Sequence, residues 1–244
     1  MPLRSDEAFV LTRHPYRERD LTVALLSRTH GLVRVLARRA RGLRSPLAAV
    51  LEPLAQVRMT YFERPRSELA NLNEAVLVRS SFPLAASPAG WAAGQVVGEL
   101  ALTFCPPGEQ AELAYRLVDR CLARLLAGHS PLAVAHYAEL WFLRLAGVFP
   151  ELGACGECGA SLGGAPRIWD DEENRFLCPD HPPPRAATRL SAAAAAWLAR
   201  ASRERLEEIT AAAPADAATW LARLRERFTG RELVSWRYLS LLQS

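Results

Sequence analysis

The sequence predicts an α+β protein: a small N-terminal β-barrel, then an α-helical domain with a cysteine-rich ribbon inserted into it. Three observations predict this. Five short runs of β-branched, aromatic and aliphatic residues, separated by turn residues, fall within the first 80 positions. From Trp91 onward the apolar period becomes helical. Between residues 153 and 182, Gly, Cys and Pro break that period before helices resume. The resulting divisions are 1–80 for the barrel, 81–244 for the helical domain and 153–182 for the insertion.

The first strand is read at Ala8–Arg13 and the second at Leu21–Ser27, separated by the polar turn Tyr16-Arg17-Glu18-Arg19-Asp20. Arg28-Thr29-His30-Gly31 forms a hairpin turn in which Gly31 can take a positive φ. The third strand, Leu32–Ala37, places Val33, Val35 and Ala37 on one face. Leu54–Phe62 and Leu69–Val78 complete five strands, the number in an OB-fold, a barrel that commonly binds nucleic acid. Pro83–Ala89 reads as a linker. Helices are expected at Trp91–Phe104, at Glu109–Ala127 and from Ser130-Pro131 to about Leu145, where Ser caps and Pro opens the first turn. In the second of these, Leu113, Leu117, Cys121 and Leu125 recur every four residues, beside an Arg116, Arg120, Arg124 stripe. Glu112 stands four residues before Arg116, a favourable order for pairing. Further helices are read at Ala192–Ala201, Ala215–Arg227 and Arg231–Leu242.

Cys155-Gly156-Glu157-Cys158 and Cys178-Pro179-Asp180-His181 are the chemically specific part of the chain. Each short pair makes a tight turn that aims two ligands at one point, and together they have the spacing of a tetrahedral zinc site. Arg167-Ile168-Trp169 and Arg175-Phe176-Leu177 between them read as two strands joined by the Asp170–Asn174 turn, a zinc-ribbon layout. Four protein ligands leave no open position, so one structural zinc is expected rather than a catalytic one. Cys105, Cys121, His129 and His136 lie in or beside helical patterns and read as structural. No Gly-rich phosphate loop, nucleophile elbow or paired-carboxylate motif occurs, so the expectation is a protein that is not an enzyme.

All 30 basic residues are arginine, and net charge is +4. A GC-rich genome is one explanation of such a bias, but the chemistry changes with it, since arginine forks onto phosphate and stacks on bases. Residues 1–80 hold 14 Arg against 8 acids, whereas residues 81–244 hold 16 against 18. No acid occurs from Leu21 to Leu51, where Arg28, Arg34, Arg38, Arg39, Arg41 and Arg44 cluster. Such a surface can meet several phosphates at once. Tyr16 is the stacking candidate for single strands, with His30, Tyr61 and Phe62 as further possibilities. No apolar run is long enough to cross a membrane, and the N-terminus lacks the apolar core of a signal peptide. A cytoplasmic, nucleoid-associated location is therefore expected.

Glu7-Ala8-Phe9-Val10-Leu11, Tyr16-Arg17-Glu18-Arg19-Asp20, Leu25-Leu26-Ser27-Arg28-Thr29-His30-Gly31 and Ala40-Arg41-Gly42-Leu43-Arg44-Ser45 resemble the opening of the bacterial RecO family of recombination mediators. The order of helices, zinc ribbon and returning helices is similar to the same family over essentially the whole chain. The resemblance implies an N-terminal OB-fold, a helical domain, binding of single- and double-stranded DNA, and annealing of complementary strands. It also implies work with RecR to load RecA on DNA coated by single-stranded DNA-binding protein (SSB). An SSB tail, acidic with an apolar end, would then meet Arg116, Arg120 and Arg124. His181 departs from the family's usual fourth cysteine, and the absence of lysine departs from common members. A zinc-ribbon regulator of nucleic acid and a zinc-dependent nuclease are the alternatives.

Overall fold

The computed structural model describes residues 3–42, 45–63, 67, 69–109, 111–185 and 187–242. They pack as two compact units, Met1–Gly128 with Leu233–Ser244, and His129–Glu232.

The first unit is built on a closed five-stranded barrel, β1 (Leu3–Tyr16), β2 (Asp20–Ser27), β3 (Gly31–Ala37), β4 (Gln56–Phe62) and β5 (Leu69–Arg79), in the order β1-β2-β3-β5-β4. Only β3 and β5 pair in parallel, with Arg34, Val35 and Leu36 opposite Leu69, Ala70 and Asn71. This order is that of an OB-type barrel. β1 is longer than its apolar run because it serves two neighbours. Leu3 to Phe9 pair with β4, Ala8 to Tyr16 pair with β2, and a bulge between Val10 and Thr12 bends the strand from one to the other. Alternation places Val23, Leu25, Val35, Ala37, Val57 and Met59 inside the barrel, with Leu47 and Val50 of the short helix α1 (Pro46–Val50) packed against that core. Tyr61 follows the same alternation and is 1% exposed, so it is a core residue and not a stacking platform.

The segment read as a linker is ordered structure: Phe82–Ala86 is a 3-10 turn, and α2 (Pro88–Phe104) starts where the Ser87 hydroxyl accepts the Gly90 N–H. In α3 (Glu112–Leu126) the buried face runs through Ala114, Tyr115, Val118, Cys121, Leu122 and Leu125, while Leu113 is 63% exposed. Tyr115 sets this rotation. Its ring meets Phe9 of β1 at 4.9 Å, and its hydroxyl accepts a bond from Gln56 Nε2 at 2.8 Å.

The second unit centres on α4 (Pro131–Leu145), in which Ser130 accepts the Ala133 N–H and ten residues are buried. It continues through β6 (Arg167–Asp170), β7 (Arg175–Leu177), β8 (Thr188–Leu190), α5 (Ala192–Ala201) and α6 (Ala215–Thr229). The sheet order β7-β6-β8 adds a third strand to the expected pair, beyond residue 182. Trp220 of α6 gathers Phe149, Trp169 and Phe176 within 5.9 Å of its ring and is itself fully buried. Asp171 in the β6–β7 turn accepts Arg223 and Arg227 of α6 at 2.8 and 2.6 Å, which holds the ribbon on that helix. His136 is buried, and its Nδ1 accepts the Ala213 N–H at 3.2 Å. Burial holds its pKa down at about 4, so it is a neutral structural residue. The last helix, α7 (Val234–Leu241), belongs to the first unit and packs on α2, where the Glu99 carboxylate accepts the Val234 and Ser235 N–H groups. No helix among the described residues is long and apolar enough to cross a membrane.

Candidate metal centre and candidate nucleic-acid interface

In the second unit the two expected pairs converge. One ligand atom from each of Cys155, Cys158, Cys178 and His181 lies within 4.8 Å of the others, so the cluster could hold a metal ion. The first turn is built by Cys155 N–H donating to Ala160 at 2.8 Å and by Gly159, at φ +72, donating to the Cys155 carbonyl. The second turn is closed by His181 N–H on the Cys178 carbonyl at 3.3 Å. Gly156 N–H bonds the Phe176 carbonyl at 2.8 Å, so β7 fixes the distance between the turns.

The local electrostatics favour a thiolate at Cys155, while burial and the neighbouring cysteine sulfurs push the Cys178 thiol up. Burial pushes the Cys155 thiol up, but backbone N–H groups of Cys158, Cys178 and Glu157 directed at its sulfur bring it down to about 6. His181 Nε2 is buried with no hydrogen-bond partner among the described residues, a vacancy that a metal bond would fill. Arg175 braces the first turn from outside: it meets Asp170 at 3.3 Å, Glu157 at 2.9 Å and the Gly156 carbonyl at 3.1 Å. A Cβ at position 156 would lie 2.6 Å from Arg175 Cδ, which is why glycine stands there. Nothing in the spacing of the cysteines signals this brace.

The first unit carries the basic surface. Tyr16, Arg17, Asp20, Arg38 and Arg39, with Leu36 and Leu69 beside them, line one cavity of about 750 Å³. Two connections are tied together there: Arg39 N–H donates to the Asp20 carboxylate Oδ1 at 2.8 Å, and Arg41 N–H to the Arg19 carbonyl at 3.0 Å. Tyr16 is 38% exposed, and the Arg17 guanidinium lies 5.3 Å from its ring centre. The cavity thus brings Tyr16, Arg38 and Arg39 together and adds Arg17, which sequence reasoning missed although it adjoins Tyr16. Arg34 and Arg41 are exposed but do not line the cavity, and Arg44 lies outside the described residues. His30 is taken up by bonds to Arg4 at 2.6 Å and to Thr29 at 2.8 Å. Asp6 anchors the same turn by accepting the Ser27 and Thr29 hydroxyls and the Thr29 N–H, hydrogen bonds that hold its carboxyl below the usual range despite burial.

On α3, Arg116 and Arg120 are exposed and Arg124 is half-buried. Glu112 turns away from Arg116 and meets Arg28 of the β2–β3 turn at 3.4 Å. Cys105 and Cys121 are buried, and burial pushes the Cys105 thiol up to about 12.

Two family models match the chain, the N-terminal part of recombination protein O over residues 1–81 and its C-terminal part over residues 86–237. A protein of Anaeromyxobacter sp. (strain Fw109-5) named DNA repair protein RecO is 34% identical over 94% of this chain and 93% of its own length. A protein of the same name from Koribacter versatilis (strain Ellin345) is 34% identical over 66% of this chain and 65% of its own length. Another, from Syntrophobacter fumaroxidans (strain DSM 10017 / MPOB), is 28% identical over 72% and 70%. With a five-stranded barrel, following helices and a three-cysteine, one-histidine cluster in the expected order, the chain belongs to the RecO family of DNA repair proteins.

Proposed function

We propose that this chain is a DNA-binding recombination mediator that acts without covalent chemistry, and that its cysteine–histidine cluster holds one structural zinc. The observation that carries the DNA-binding reading is the cavity on the barrel. An aromatic ring and three arginines converge there, in a family named for DNA repair. The arginines would neutralise phosphates while Tyr16 stacks on a base, a combination suited to single strands of any sequence. Lowering the repulsion between two strands then favours annealing of complements, and duplex would be held through the same phosphate contacts. Double-stranded DNA, RecR and the SSB tail belong to this reading as further partners, with RecA loading as its outcome.

Zinc is favoured by the donor set and its spacing. The Cys158 and Cys178 sulfurs stand 3.9 Å apart, close to the edge of a tetrahedron of zinc–sulfur bonds, which is roughly 3.8 Å. Bound there, zinc would supply no reaction chemistry and would hold the two turns together. The SSB tail remains assigned to Arg116, Arg120 and Arg124. Because α3 belongs to the same compact unit as the barrel, its binding is measured on the full chain.

The test is Arg38→Ala with Arg39→Ala in the full chain. Oligodeoxythymidylate affinity should fall similarly on mixed sequences, and the slope of log affinity against log salt should flatten by roughly 0.7 per lost contact on single strands. Annealing of complementary oligonucleotides should slow in parallel. An unchanged salt slope in the folded double variant refutes the assignment.

A further inference from the structure

The second unit holds a pocket that neither the barrel nor the metal cluster uses. It measures about 450 Å³ and lies between the ends of α4 and α5 and the loops that lead into β6. Arg144, Arg167, Arg200 and Arg203 line it, and no acidic residue does. Arg200 is already neutralised by a bidentate pairing with Glu204 at 2.8 to 3.1 Å. The other three have no carboxylate within ion-pair distance among the described residues.

Arg144 and Arg167 are held in place. Arg144 donates to the Ser202 carbonyl at 3.2 Å and lies 4.8 Å from the Trp141 ring centre. Arg167 is 1% exposed and spends two N–H groups on the Leu152 and Gly163 carbonyls, at 2.7 and 2.8 Å. Its Nε is buried and unpartnered among the described residues. Arg203 is exposed at the rim. A buried cation without a counter-ion is costly, and charge-assisted bonding to an anion removes that cost. The concentration of positive charge is local, because residues 129–232 carry 12 arginines against 14 acids. Gly153, Gly163 and Gly164 form part of the wall and leave no side chain in the way of an approaching group.

We propose that this pocket is a second phosphate station, in which Arg144, Arg167 and Arg203 receive a phosphodiester of single-stranded DNA. The inference rests on the DNA-binding reading above and extends it to the helical part of the chain. A phosphodiester fits better than a divalent cation or a neutral ligand because every charged lining group is an arginine, an N–H donor and a cation.

The experiment uses Arg203→Glu and Arg144→Gln singly in the full chain, with Arg203→Lys as the conservative variant. Circular dichroism and metal content are checked for each, and oligodeoxythymidylate binding is titrated by anisotropy across a salt series. Arg203→Glu should weaken binding about threefold to tenfold at low salt and flatten the salt slope by roughly 0.7 to 1, and Arg203→Lys should retain most of the affinity. Unchanged affinity and slope in folded Arg203→Glu and Arg144→Gln, with the Arg38→Ala, Arg39→Ala chain still impaired, overturns the pocket and leaves the barrel reading standing. If the unsubstituted chain binds no oligonucleotide, both readings fall. A thermal shift with inorganic phosphate that Arg203→Glu abolishes, alongside unaltered oligonucleotide binding, would show a free-anion site and overturn the DNA assignment.

Discussion

Replacing Gly31 with alanine probes the turn that carries the most specific string of the N-terminal sequence. Gly31 closes the β2–β3 hairpin at φ +63, and a Cβ there would lie 2.2 Å from the Glu109 carbonyl oxygen and 2.9 Å from that of Pro106. The neighbouring loop is not free to withdraw, since Leu32 N–H donates to the Pro106 carbonyl at 3.3 Å. Two costs follow. An L side chain held in the left-handed region costs about 1–2 kcal/mol. Restoring an ordinary contact near 3.4 Å requires the Glu109 backbone to move by roughly 1.2 Å, and overpacking of this kind costs about 1–3 kcal/mol. The expected loss for Gly31→Ala is therefore about 2–5 kcal/mol. Gly108 is the control: its φ is +77, and no atom of the described residues lies within 4 Å of where a Cβ would stand. Gly108→Ala should lose only the conformational part, about 1–2 kcal/mol. Urea unfolding followed by circular dichroism, with equal slopes, gives the comparison through the midpoints. Equal destabilisation by the two substitutions would refute the steric argument.

Thiol accounting tests the metal cluster. The metal-loaded native chain should react slowly with a disulfide reagent, and chelation should release three thiols, Cys155, Cys158 and Cys178. Cys105 and Cys121 should stay silent until denaturant is added, and rapid reaction of four or more thiols in the chelated native protein would contradict this. Gly156→Ala should raise the metal dissociation constant, and adding Arg175→Ala should restore part of the affinity, because the clash is with that side chain. Strict additivity of the two substitutions would count against the brace. His136 gives a pH signature: its folded pKa is depressed to about 4 against an ordinary value of 6.5, so the unfolded state binds the extra proton between those values. Stability from this group is present above pH 6.5 and is lost as pH falls towards 4, by about 3 kcal/mol in total. His136→Gln should flatten that part of the pH profile, and an identical profile in the variant would refute the assignment.

The barrel was legible because its interior positions alternate strictly, as in Val57, Met59 and Tyr61. The same rule shows why Tyr61 is not a stacking ring. The cysteine–histidine cluster was legible because a paired spacing is a local constraint on two turns. β8 was not, since three residues of a short strand carry no period of their own. The α3 face was legible at Cys121 and Leu125 but off at its start, because Leu113 and Ala114 are both apolar, and the choice between them is made by Tyr115 meeting Phe9, a contact 106 positions away in sequence. Arg17 was passed over because the cavity that it lines with Arg38 and Arg39 depends on the Asp20–Arg39 tie between separate loops. The pocket at Arg144, Arg167 and Arg203 is assembled from segments about 60 residues apart, and no sequence window contains it.

The return of α7 to the first unit has a consequence for synthesis on the ribosome. The α2 surface that α7 covers is complete by residue 104, yet its cover is made only after the whole of His129–Glu232 has emerged. At typical elongation rates the roughly 130 residues between the end of α2 and the start of α7 take about 7–26 s. Throughout that interval a nascent helix with an uncovered apolar side stands beside a barrel already able to close. The order of translation therefore places the chain's vulnerability to aggregation in that interval rather than in the finished fold.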